Sequence, residues 1–206
     1  MAAALHEVGR TPRMCGRPAR ARLELHSAEG RVVVSGPVRV DPAQAGGAVD
    51  LVLLAVKSTQ LEAAAPWLTA LCGADTVVGV LQNGVEQESM VAPHVPGVRV
   101  IPSVVWFPAQ AQPDGSAWLR GEARLTLPDA PASRVVLEAL RGTRCSVDLA
   151  ADFTSVAWRK LLQNAVAGLM VLTGRRDGML PGPMSPSCPW PTSGSAWRSP
   201  GPRARS

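Results

Sequence analysis

Two polar side chains follow two apolar segments whose length suits a β-strand. Lys57 directly follows AVDLVLLAV, residues 48–56, and Asn83 stands just after TVVGVL, residues 76–81. Nearly continuous apolar segments are typical of parallel strands that are covered on both faces. Ligands of an open parallel sheet bind beyond the carboxyl ends of its strands. We therefore expect an ammonium and a carboxamide on the same, ligand-binding edge of a sheet.

Each of these residues also has an ordinary structural interpretation. Lys57 could simply keep a strand end soluble, and Asn83-Gly84 could be a turn pair that accommodates a positive φ. For either residue considered alone, the ordinary interpretation is favoured.

A second pair of polar residues falls on a predicted long helix. Lys160 and Asn164 are four residues apart, beside the large ring of Trp158, so they share a helix face that could border a cleft. The alternative is a solvated lysine and asparagine on an amphipathic helix, and without further context that alternative is favoured.

These residues are positioned by alternating strands and helices, which predict an open α/β sheet. The further predicted elements are a short helical turn at 2–8, a strand at 13–16, a hairpin of strands 23–25 and 31–34, helices at 60–72, 85–91 and 133–141, a β-rich segment at 98–105 and a weaker hairpin at 117–127. Pro66 should kink the helix at 60–72 or mark its start.

The character of the chain changes near Val147. Asp152 is a good N-cap for a helix from Phe153 to about Leu172, which predicts the start of a helical domain. From residue 181 the sequence is rich in Pro, Ser, Gly and Arg and predicts a disordered tail. The expected domains are therefore residues 1–147, 148–180 and 181–206.

Composition excludes several classes of protein. The formal charge of +5 over 206 residues is scattered, with no basic stripe interleaved with aromatics, so nucleic-acid binding is disfavoured. No apolar segment approaches the ~20 residues of a membrane span, and the N-terminus lacks the apolar run of a secretory signal. No cysteine pair has metal-ligand or redox spacing, so we expect no metal and a reduced, cytoplasmic protein. The four cysteines are Cys15, Cys72, Cys145 and Cys188.

Three motifs, taken together, carry a family resemblance. VKSTQL at 56–61, LQNGVEQ at 81–87 and WRKLLQNAVAGLMVLTGR at 158–175 resemble the ketopantoate reductase (2-dehydropantoate 2-reductase) family in order and separation. The resemblance covers about residues 2–178 and includes GRTPRMCGR at 9–17. It implies a Rossmann-like domain, NADP as cofactor and reduction of ketopantoate or a related 2-keto acid, as in pantothenate biosynthesis. The oligomeric state is left open, with a homodimer as one option.

The resemblance also assigns roles to individual residues. Lys160 matches the family's catalytic lysine, which binds the substrate and donates a proton to the keto oxygen as hydride reaches the carbon, and Asn164 matches an asparagine that hydrogen-bonds the substrate. Arg17 matches an arginine placed against the 2′-phosphate of NADP. Lys57 and Asn83 match cofactor-contacting positions, and Ala109 matches another by a looser alignment.

The sequence departs from the family's pattern at both ends. The first strand and the GxGxxG turn that holds the pyrophosphate are absent, and no counterpart of the family's C-terminal serine and glutamate is found. Gly168 stands where some members have a second substrate asparagine.

The predicted fold is thus α/β, a Rossmann-like parallel sheet lacking its first strand and glycine-rich turn. This sheet is followed by the first long helix of an all-helical C-terminal domain and by a disordered tail. The alternatives are an inactive fragment from a truncated or frame-shifted gene and, more weakly, a basic interaction module.

Overall fold

The computed structural model describes the backbone of residues 1–172 and the side chains of residues 1–168. Contacts between Cα atoms divide the chain into a unit of Met1–Ala165 and a second unit of Val166–Ser206. The expected tail at 181–206 lies outside the described residues. The expected domain limits remain a prediction.

Three parallel strands form the sheet whose carboxyl edge is the predicted ligand-binding edge. Strands β3 (Leu51–Leu54), β4 (Val77–Val80) and β5 (Arg99–Pro102) form it in the order β3-β4-β5, with β4 in the middle and entirely buried. The strands at 48–56 and 76–81 are confirmed, although each is shorter than its apolar segment. The α/β class with a parallel sheet is therefore confirmed.

One face of this sheet is covered by α2 (Leu61–Leu71) and α3 (Gln87–Val91). Leu68 of α2 is 1% exposed and belongs to a cluster with Val78, Val80 and Val91. Pro66 lies inside α2, which runs past it to Leu71, so Pro66 does not mark the helix start. The burial of this apolar face offsets the hydrogen bond that a proline removes.

A second hydrophobic cluster joins a three-stranded sheet of order β10-β9-β6 to the parallel sheet, which contributes Val77 and Ile101. The strands of the β10-β9-β6 sheet are β6 (Val104–Val105), β9 (Ala123–Pro128) and β10 (Cys145–Ala150). Helix α4 (Ser133–Leu140), predicted at 133–141, contributes Val136 and Leu140 to the cluster. Strand β10 was not predicted, and residue 147 lies inside it.

The predicted hairpin at 117–127 is wrong. Its two halves form β8 (Ala117–Leu119) and β9, which belong to different sheets. Strand β8 pairs with β7 (Ala109–Ala111), whereas β9 pairs with β6 and β10. The reason is burial, because these long-range pairings leave Leu125 and Leu127 with no exposed surface.

The third sheet has the order β2-β1-β8-β7. Its antiparallel strands β1 (Arg22–Ser27) and β2 (Gly30–Ser35) confirm the predicted hairpin. The predicted strand at 13–16 is wrong, since Cys15 forms only an isolated bridge with Arg39. Gly16 has a φ of 134° there, a conformation that interrupts regular pairing.

Helices stand at both ends of the described chain. Helix α1 (Ala2–Glu7) ends just before Gly9, whose φ is 76°, as predicted. Helix α5 spans Phe153–Leu172, and Asp152 caps it, because Oδ1 of Asp152 accepts a hydrogen bond of 3.1 Å from the backbone N–H of Ser155. No helix in the described part of the chain is long and apolar enough to cross a membrane.

Candidate active site

The carboxyl edge of the parallel sheet carries both polar residues expected there. Leu54 of β3 and Val80 of β4 are register partners, and Lys57 and Asn83 each stand three residues further along the chain. Both side chains are exposed. The structure therefore brings an ammonium and a carboxamide to one edge of the sheet. Such an edge suits an anion that also carries hydrogen-bond acceptors, as a nicotinamide dinucleotide does.

The loop that bears Asn83 is held by a buried glutamine that the sequence analysis did not single out. Nε2 of Gln87 donates to the carbonyl oxygens of Gln82, at 2.6 Å, and Ser103, at 3.2 Å. The Ser103 hydroxyl donates to the carbonyl of Val80 at 2.6 Å. These bonds join the ends of β4 and β5 and fix the loop. The signal was present in the sequence, since Gln87 closes the LQNGVEQ motif.

Gln82 itself has a buried donor that is not satisfied. Its side chain is 5% exposed, and its Nε2 has no hydrogen-bond partner among the residues that the structure describes. An unpaired buried donor is costly, and in native proteins such a group commonly bonds to a water molecule or an ion. Gln82 precedes Asn83 in the chain, at the carboxyl edge of the parallel sheet.

Helix α5 places the second predicted pair on one face. Lys160 and Asn164 are four residues apart within it, and both are partly buried, whereas Trp158 is 51% exposed. Burial lowers the pKa of the Lys160 ammonium from its ordinary value. A half-buried lysine with a lowered pKa gives up its proton more readily than a solvated one.

The ammonium of Lys160 lies against an aromatic ring that the sequence analysis had not connected with it. Its Nζ is 5.0 Å from the centroid of the Trp106 ring, and Cζ of Arg124 is 5.1 Å from the same centroid. Trp106 follows strand β6, about fifty residues before the lysine. No local pattern predicts such a contact, because it depends on how β6 and α5 come together.

The two remaining predicted residues lie outside the parallel sheet. Arg17 is exposed and belongs to the irregular segment that leads to β1, and Ala109 is the exposed first residue of β7. The structure therefore groups Lys57 with Asn83 and Lys160 with Asn164, and it places Arg17 and Ala109 on other segments. Residues 1–168 contain no group of three or more His, Cys, Asp and Glu side chains that could hold a metal ion.

Solved structures with the same fold define the class of this protein. A 2-dehydropantoate 2-reductase from Geobacter metallireducens has a TM-score of 0.73 at 22% identity, covering 84% of this chain and 61% of that one. A dimeric ketopantoate reductase from Staphylococcus aureus has a TM-score of 0.70 at 24% identity, covering 84% and 64%. The chain shares the Rossmann-like α/β fold of these structures.

The family follows from sequence comparison. The model of the ketopantoate reductase PanE/ApbA family matches residues 1–132, and the chain belongs to that family. A 2-dehydropantoate 2-reductase from Mycobacterium tuberculosis is 51% identical over 180 residues, which are 87% of this chain and 61% of the relative. The resemblance inferred from the three motifs is confirmed. The chain spans about 61% of the length of this relative.

Proposed function

We propose that this chain carries the cofactor-binding and proton-donating parts of an NADPH-dependent reductase that converts 2-dehydropantoate, or a related 2-keto acid, into the 2-hydroxy acid. The observation that carries the proposal is Lys160, a half-buried lysine with a lowered pKa that stands four residues before Asn164 in a member of this family. The proposed partner is thus a small keto acid, with no nucleic acid, membrane or metal involved.

The proposed chemistry needs one proton donor on the protein. When bound, NADPH would supply a hydride to the keto carbon, and negative charge would then develop on the keto oxygen. The Lys160 ammonium hydrogen-bonds that oxygen, stabilises the charge and gives it a proton, so the C=O group becomes CH–OH. Asn164, one helical turn away, orients the substrate by a hydrogen bond.

Four residues are proposed to hold the cofactor. Lys57 and Asn83 would contact it at the carboxyl edge of the sheet, and Ala109 would contribute a further contact. Arg17 would bind the 2′-phosphate, because a guanidinium matches a phosphate dianion with two parallel hydrogen bonds. Binding of the pyrophosphate has no candidate in this sequence, since it contains no GxGxxG turn.

A second candidate is an inactive fragment of such a reductase. It rests on the sequence, which contains no GxGxxG turn. Titration of the purified 206-residue chain with NADPH, followed by cofactor fluorescence, separates the two candidates. Saturable binding at micromolar NADPH together with oxidation of NADPH by ketopantoate supports the reductase, and no binding at millimolar NADPH supports the fragment.

Assembly and location belong to the same proposal. The Staphylococcus aureus neighbour is described as dimeric, which favours a homodimer here, and light scattering on the eluted protein measures it directly. A mass near 21.6 kDa would reject the dimer.

We propose the cytoplasm as the location. Fractionation of the producing cells, with an antibody that detects the chain in each fraction, tests this.

A further inference from the structure

The lysine proposed as proton donor touches an aromatic ring that no motif includes. Nζ of Lys160 stands 5.0 Å from the centroid of the Trp106 indole, within the range of a cation–π interaction. The electron-rich face of an indole attracts a cation more strongly than other aromatic side chains do. A lysine side chain has four rotatable bonds, so a contact at its tip restricts where the ammonium can be.

The ring is itself held in a defined position. The Trp106 backbone N–H donates to the carbonyl of Arg124 at 3.0 Å, and its indole Nε1–H donates to Oγ1 of Thr126 at 2.8 Å. Thr126 is 7% exposed and belongs to β9, whose neighbours Leu125 and Leu127 are fully buried. The indole is therefore anchored to the core of the β10-β9-β6 sheet and not to a loose loop.

A second cation shares the ring. Cζ of Arg124 is 5.1 Å from the centroid, so it lies no more than about 10 Å from the Lys160 ammonium. Oδ2 of Asp148 stands 3.7 Å from Nη1 of Arg124 and offsets part of its charge. The ring therefore lies next to two cations, and Arg124 and Asp148 belong to β9 and β10.

We propose that Trp106 is a positioning residue, whose indole face holds the ammonium of Lys160 at the place from which it gives its proton to the substrate. Thr126 fixes the plane of the indole through its hydrogen bond. The inference rests on the proposed reductase function for its catalytic consequence. The positioning itself is a property of the folded chain and is measurable without turnover.

The pKa of the Lys160 amine can be measured with little signal overlap, because the sequence contains only two lysines, Lys57 and Lys160. Reductive methylation with ¹³C-formaldehyde labels the two lysine amines and the N-terminal amine of Met1, and NMR then follows the titration of each signal. Lys57→Arg identifies the Lys57 signal, and Lys160→Arg identifies that of Lys160. Replacement Trp106→Leu removes the π face but keeps an apolar neighbour, so the charged amine loses its stabilisation. We expect the pKa of Lys160 to fall by roughly half a unit to one unit, while Trp106→Phe retains most of the wild-type value. Thr126→Val, which frees the indole, should shift the pKa less than Trp106→Leu.

Trp118→Leu is the matched control, since Trp118 is exposed and stacks on His26. It should leave the Lys160 titration unchanged.

If Trp106→Leu does not fold, fluorinated tryptophans replace the variant, because fluorine withdraws electron density from the ring with little change in shape. The Lys160 pKa should then fall stepwise with the number of fluorines. An unchanged or higher pKa in Trp106→Leu, or no trend with fluorination, overturns the proposal.

Turnover, where the chain supports it, gives the catalytic consequence. Trp106→Leu should lower kcat about tenfold and leave KM for NADPH unchanged, and Trp106→Phe should recover most of kcat. A shifted pKa with no loss of kcat would reject the role in proton delivery. A shifted pKa in a chain that binds no NADPH would instead reject the proposed function and retain the positioning.

Discussion

Lys57 and Asn83 occupy equivalent places beyond two neighbouring parallel strands, each three residues after the register pair of Leu54 and Val80 that ends β3 and β4. The pairing of β3 with β4 thus brings together an ammonium and a carboxamide that are 26 positions apart in the sequence. Gln87 fixes the loop of Asn83 by two hydrogen bonds. These bonds therefore fix the position of the Asn83 loop at the carboxyl edge.

Loss of either side chain should weaken cofactor binding. Lys57→Ala and Asn83→Ala each remove a hydrogen bond to a charged or polar ligand group, worth about tenfold to a hundredfold in Kd when the partner is charged. Fluorescence titration with NADPH measures this. Arg99→Ala is the control, because exposed Arg99 begins β5 at the opposite edge of the same sheet. Equal effects of all three variants would exclude specific binding at the carboxyl edge.

Arg17 should distinguish NADPH from NADH. Removal of a guanidinium that binds the 2′-phosphate costs about tenfold to a hundredfold in NADPH affinity and leaves NADH affinity unchanged. The control for Arg17→Ala is Arg22→Ala, because Arg22 is a nearby exposed arginine that begins β1. The ratio of the two Kd values in each variant is the measurement. A parallel loss for both cofactors would assign Arg17 to general electrostatic attraction.

Replacement of Lys160 should remove turnover. Lys160→Met keeps an unbranched side chain one atom shorter that has no proton to donate, so kcat for ketopantoate reduction should fall by about 10²- to 10⁴-fold. Arg159→Met removes an exposed positive charge from the adjacent position of α5 and should retain wild-type kcat. Comparable losses in both variants would show that net charge, and not the proton donor, is responsible.

The same lysine should make stability depend on pH. Burial lowers its pKa in the folded chain from the ordinary value of 10.5, so between the folded and unfolded pKa values the unfolded chain binds more protons. The destabilising effect of the ammonium is complete below the folded pKa and disappears as pH rises towards 10.5. Wild-type Tm should therefore rise relative to that of Lys160→Met over this window. A constant difference in Tm would contradict the lowered pKa.

The core around α2 should carry much of the stability of the first unit. Leu68 is 1% exposed, and Leu68→Ala should lower the free energy of unfolding by about 2 to 5 kcal/mol. Leu162 of α5 is 63% exposed, so Leu162→Ala should change that free energy by less than about 0.5 kcal/mol. Urea denaturation followed by tryptophan fluorescence compares the two. Similar midpoints would mean that the described core is not formed in solution.

Local patterns predicted the helices and strands that are marked by the spacing of their own residues. Helical spacing predicted α2 and α4, the apolar segments predicted β3 and β4, and Asp152 predicted the start of α5. The strand at 13–16 and the hairpin at 117–127 were wrong, and β10 was missed. In these segments the pairing is long-range, so the short-range pattern contains little information about it.

The sequence alone determined the family and the candidate residues, because VKSTQL, LQNGVEQ and WRKLLQNAVAGLMVLTGR are contiguous motifs that need no fold to be read. The tertiary structure alone decided which residues meet. It placed Gln87 beneath the loop of Asn83 and the ring of Trp106 against Lys160. Such contacts depend on strand register and on the packing of α5, which arise only when the buried apolar surfaces of distant segments come together.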